Sequence, residues 1–164
     1  MSSEEARVQR SSRGFTLVEM LIVLAIMGVL AAAARPILEL SVQRSQEFAL
    51  REALRTLRTG IDAYKKAAEA GRIAVAADAS GYPPSLQALV QGVPDAKSPK
   101  DIKLYFLRRL PRDPFSDPTV PAEDSWGQRS SDSPPDAPQA GRDVFDVFSR
   151  SERVALDGSK VKDW

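Results

Sequence analysis

The 164-residue chain contains neither cysteine nor histidine. The first absence removes disulfides, thiol nucleophiles and thiolate metal sites together. The second removes imidazole, so zinc sites of the common kind and triads with an imidazole base are excluded, leaving carboxylates and hydroxyls as the available chemistry. Nucleophile elbows, phosphate loops and dinucleotide fingerprints are missing too. These gaps argue against an enzyme, and no two acids can be placed in a shared cleft from the sequence. An excess of one charge is also lacking: 23 Lys plus Arg stand against 22 Asp plus Glu. That balance gives no electrostatic footprint for nucleic acid or for an acidic substrate.

What the chain does have is an apolar run from Phe15 to Ala34. Twenty helical residues at about 1.5 Å each reach roughly 30 Å, the hydrocarbon thickness of a bilayer. Arg7, Arg10 and Arg13 approach the run while Glu4 and Glu5 stay at the distal end. The positive-inside rule then predicts a cytoplasmic N-terminus and a C-terminal part on the far side, although Arg35 softens the asymmetry. A cleaved secretory signal is the competing reading, with Ala31 to Ala34 as its small-residue site. That reading leaves Glu19, a carboxylate inside the run, without an explanation.

The segment "RGFTLVEMLIVLAIMGVLA" resembles the class III signal of type IV pilins and type II secretion pseudopilins. The resemblance implies that a prepilin peptidase cuts between Gly14 and Phe15, that Phe15 becomes the N-methylated terminus, and that residues 1–14 are a basic leader. It also makes Glu19 the glutamate at the fifth mature position, partnered by the terminal ammonium of a neighbouring subunit. An ionised group in a membrane helix costs a few kcal/mol and is normally kept only with a partner. Two charges that meet only in register therefore reward assembly and penalise misalignment. Gly28 and Ala32, four apart, offer a small-residue face for close helix packing. Pro36 removes a backbone donor. In the family a proline at this place marks a segment that melts on assembly, and a simple bend is the alternative.

Beyond Pro36 the pattern becomes periodic. Leu50, Leu54, Leu57, Ile61, Tyr64 and Ala68 follow helical spacing, so residues 36–70 read as an amphipathic helix continuing the assembly helix of residues 15–35. The stripe is expected to pack on a sheet. Arg44, Arg51, Arg55, Arg58 and Lys65 lie off it, and are expected to be solvated or to pair with a neighbouring subunit. Gly71 suits the helix end. Residues 71–164 read as a small globular domain: a short helix in "YPPSLQALVQG" capped by Ser85, a strand or short helix over Ile102 to Leu110, and a proline-rich irregular stretch at 111–141. "RDVFDVFSR" reads as a strand, and an Asp157-Gly158 turn precedes a short C-terminal strand, with Trp164 tucked against the domain. The expected class is α+β, pilin-like: a long N-terminal helix, membrane-spanning in its first half, on a small antiparallel sheet of about three or four short strands.

Type IV pilins commonly close the C-terminal region with a disulfide, which this chain cannot form. "YPPSLQALV", "LRRLPRDPF", "SWGQ" and "DVFDVFS" are similar, in that order, to landmarks of the major pseudopilin, except that an insert separates Asp113-Pro114 from Trp126-Gly127. The family's calcium site in the C-terminal loop needs several hard oxygen ligands. Here that loop holds Glu152, Asp157 and Asp163 among Arg150, Arg153, Lys160 and Lys162, which leaves Asp157 as the candidate ligand or as part of an ordinary turn. The resemblance thus implies a structural subunit of a periplasmic secretion fibre. Its partners would be copies of itself, other pseudopilins, the prepilin peptidase and methyltransferase, and an inner-membrane assembly platform. A type IV pilin or minor pilin, or a single-pass anchored periplasmic binding module, remains as an alternative.

Overall fold

The computed structural model describes residues 14–100 and 102–164, and the side chains of residues 33–37 are outside the description. Of the expected leader, residues 1–14, all but Gly14 lie outside the described residues, and Pro36 is described only as helical backbone. Helix α1 runs over Leu17–Glu69. The chain divides into two compact units, Met1–Ser41 and Val42–Trp164. In the first unit every described side chain of α1 is exposed, including Leu17, Leu21, Leu24 and Val29. Among the described residues no helix is long and apolar enough to cross a membrane, and the apolar run is described with its side chains only as far as Ala32.

The second unit is built on the C-terminal half of α1. Leu50, Leu54, Leu57, Ile61, Tyr64 and Ala68 are buried along one face, because positions spaced three and four apart stack on a helix surface. The helix ends in a Schellman motif: Gly71 N–H donates to Ala68 O and Arg72 N–H to Ala67 O, both at 2.9 Å. Closing that motif requires the left-handed φ of +67° found at Gly71, which glycine adopts without steric cost. Against the stripe lie α2 (Leu86–Gln91), through Leu86 and Leu89, and then Trp126, Val144, Val147 and Val161 in one apolar cluster. Ser85 stands at the N-cap of α2 in extended conformation, and its side chain makes no capping bond.

The strands differ from expectation. Instead of one sheet of three or four strands, the described residues form two separate antiparallel pairs: β1 (Val93–Pro94) with β2 (Lys103–Leu104), and β3 (Trp126–Arg129) with β4 (Asp146–Ser149). In the second pair Trp126 faces Ser149 and Gly127 faces Phe148. Only two residues of the expected Ile102 to Leu110 element are strand. The stretch 111–141, expected to be irregular, contains β3. The expected C-terminal strand is replaced by a single bridge between Val154 and Lys160 and a 3-10 turn, Val161–Asp163. Segments this short bury residues by docking on α1 rather than by extending a ladder, which is why alternation in sequence overstates the sheet.

Candidate functional site

The N-terminal end of α1 is set by Thr16. Its Oγ1 accepts the Glu19 N–H at 3.2 Å, and its carbonyl accepts the Met20 N–H at 3.2 Å, so Thr16 is the N-cap and Glu19 occupies the third helical position. A carboxylate in the first turn is favoured by the partial positive charge of the free N–H groups there. The spacing Thr-x-x-Glu is half of a capping box, a signal present in the sequence that the resemblance overshadowed. Phe15 precedes this cap with 71% of its surface exposed. Phe15 thus lies four residues before Glu19, just outside the helix. Gly28 and Ala32 are exposed, and nothing lies within 4 Å of the place a Cβ would take at Gly28, so that flank is open to a close helix neighbour.

In the second unit the landmarks separated in sequence come together. Trp126 Nε1 donates to Pro111 O at 2.9 Å, and Asp113 N–H donates to Ser125 Oγ at 3.2 Å. The insert 115–125 is therefore looped out, and Asp113 remains beside Trp126-Gly127 as if it were absent. Asp113 is buried and accepts from Phe115 N–H at 2.8 Å and from the Ser149 hydroxyl at 2.5 Å. A second buried acid, Asp143, accepts from the hydroxyls of Ser80, Ser130 (2.8 Å) and Ser131 (2.6 Å) and from Ser131 N–H (2.8 Å). Burial alone would raise its carboxyl pKa, but the serine donors stabilise the ionised form and bring it down to about 2. Neither acid stood out in the sequence beyond the Asp-Pro landmark. Serines spread over 70 residues carry no local pattern.

Two of the arginines off the apolar stripe meet acids of their own chain rather than standing free or awaiting a neighbour. Arg58 Nε donates to Asp146 Oδ1 at 2.8 Å, and its Nη2 reaches the Val147 and Trp164 carbonyls. Arg51 Nη2 meets Asp157 Oδ2 at 3.2 Å, and its guanidinium lies 4.0 Å over the Trp164 ring. Arg58, Asp146, Glu152, Lys162 and Trp164 line an open groove of about 720 Å³, in which Arg58 is paired with Asp146 and Lys162 with Glu152. The groove thus presents balanced rather than single-signed charge.

The donors at Asp157 do not fit calcium, which takes six or more oxygens. Asp157 Oδ1 accepts from the Ser159 N–H at 2.9 Å and hydroxyl at 2.6 Å, and its Oδ2 faces the Arg51 cation. The Ser159 bonds, with Arg51 nearby, hold its pKa below the usual carboxylate range. Among the described residues no three acids gather closely enough to hold a metal ion.

Residues 9–34 match the family described as the prokaryotic N-terminal methylation motif. The chain thus carries a methylation-type N-terminus on a long helix followed by a small domain with antiparallel strand pairs. It is 30% identical over 111 residues to the type II secretion system core protein G of Klebsiella michiganensis, an alignment covering 65% of this chain and 70% of that one. It is also 30% identical over 112 residues to the protein of the same name from Dickeya chrysanthemi, covering 66% of each. No solved structure matches the chain. The chain belongs to the family of type II secretion system core protein G, the major pseudopilins.

Proposed function

We propose that the chain is a structural subunit that polymerises through its N-terminal helix into the periplasmic fibre of a type II protein secretion system. In this reading the prepilin peptidase cuts between Gly14 and Phe15, Phe15 is N-methylated, and the segment 15–35 holds the subunit as a single pass in the inner membrane. The small domain then lies on the periplasmic side, and other pseudopilins and an inner-membrane assembly platform are its partners. The observation that carries the reading is the placement of Glu19 four residues after Phe15 inside the methylation motif, in the first turn of a helix whose described apolar side chains up to Ala32 are all exposed. Such a surface is stable only against lipid or other helices. A glutamate on it is tolerated where a cation meets it, and the amine of Phe15 on a neighbouring copy is that cation. Gly28 and Ala32 provide the close approach, and Pro36 is the place where the helix changes on leaving the membrane.

The test exploits the absence of native cysteine. Single cysteines introduced on α1 report subunit contacts by cross-linking with no background from the chain itself. Glu19→Ala should still insert and be cleaved but give no cross-linked ladder, while Glu19→Asp should give a weakened one. A normal ladder from Glu19→Ala would remove the role assigned to the carboxylate.

A further inference from the structure

We propose that the C-terminal loop, residues 150–164, is closed by the Arg51 side chain in the place of a divalent cation, so that this domain folds independently of calcium. A calcium ion in such a loop gathers carboxylates and carbonyls around one positive charge centre. Here a fixed side-chain cation does the gathering. Arg51, on α1, takes Asp157 Oδ2 at 3.2 Å and stacks 4.0 Å from the Trp164 ring. Trp164 Nε1 donates to Ser159 Oγ at 2.7 Å, and Ser159 donates its own hydroxyl to Asp157 Oδ1 at 2.6 Å, which closes a circuit of four residues on one guanidinium. One turn earlier on the same helix, the buried Glu47 accepts the Leu156 N–H at 2.8 Å, and Gln43 donates to Val154 O at 3.2 Å. Helix and loop are thus tied at both ends of the Asp157-Gly158 turn.

Several of the loop's other oxygens are engaged as well. The carbonyls of Arg153, Ala155, Ser159 and Lys160 accept N–H groups of Val161, Gly158, Ala155 and Asp163. Glu152 is paired with Lys162 at 2.9 Å. A cation entering at Asp157 would meet the Arg51 guanidinium across the carboxylate and would have to break the Ser159 bonds, at a Coulombic cost with no compensating ligand set.

The experiment is thermal unfolding of the full chain in detergent, followed by circular dichroism, in a chelator and in calcium chloride. A loop site with a dissociation constant of about 0.1 mM would be occupied some fifty-fold over at about 5 mM calcium and would raise the midpoint by roughly 5 °C or more. The proposal expects the same midpoint within about 1 °C in both conditions, and no calcium-dependent heat by titration calorimetry. It expects Arg51→Ala to lower the midpoint by about 3 to 5 °C in both conditions, with Arg51→Lys, which keeps the charge but not the planar stack, falling between. A calcium-dependent rise in the wild-type midpoint would overturn it. So would an Arg51→Ala protein that melts with the wild type. If Arg51→Ala does not fold, Arg51→Lys carries the same comparison.

Discussion

The Ser149 hydroxyl donates to Asp113 Oδ2 at 2.5 Å, with both residues buried. This contact fastens the Pro111-to-Phe115 turn to β4 and keeps it beside Trp126 in spite of the intervening insert. The two residues are 36 positions apart. Removing the carboxylate leaves the Ser149 hydroxyl and the Phe115 N–H without their acceptor in the interior. Asp113→Ala should lower unfolding stability by about 3 kcal/mol, and Asp113→Asn, which keeps one acceptor oxygen, by less. Denaturant titration of both variants checks this, and equal losses would show that the acceptor is not what matters.

Asp143 gives the domain an acid sensitivity of defined sign. Its carboxyl is held at about 2 in the fold, below the ordinary value of 3.8, so the ionised form favours folding. The resulting stabilisation, about 2 kcal/mol, is present above roughly pH 4 and is lost as pH falls toward 2. Asp143→Asn should therefore be less stable than wild type at neutral pH, and the gap should narrow over that window. A gap that does not change between pH 6 and 2 would contradict the assignment.

Gly127 lies opposite Phe148 in the β3–β4 pair, and a Cβ there would run into the ring atoms of Phe148. The ring covers the glycine, an arrangement in which the missing side chain is replaced by a cross-strand aromatic. Gly127→Ala should cost about 1 to 3 kcal/mol because the ring has to swing away from its packed position. Adding Phe148→Ala should recover part of that loss, so the two changes should be non-additive in a double-mutant cycle. Additive losses would mean that the ring does not rest on Gly127.

How much of this was readable beforehand follows from the range of the interactions involved. The helix announces itself through a periodic stripe and a glycine stop, because both arise from neighbours within a few residues. The methylation motif is local as well, so Gly14, Phe15 and Glu19 stand out without a structure. The strands do not. Two to four residues are too few for alternation to show, and β3 sits among prolines and serines that read as loop. The fastening of the C-terminal loop is also invisible in sequence, since Arg51 and Asp157 are 106 residues apart and each looks like a surface charge. The same holds for Asp143, whose donors Ser80, Ser130 and Ser131 become a set only when the chain folds.

The central claim is that Glu19 acts on the amine of a processed Phe15. Intact-mass analysis with N-terminal sequencing of the protein recovered from membranes of its native host tests it directly. The account predicts a chain that begins at N-methylated Phe15. A chain that still begins at Met1, or that begins after the alanines ending at Ala34, would leave Glu19 without that amine and would contradict the assembly mechanism.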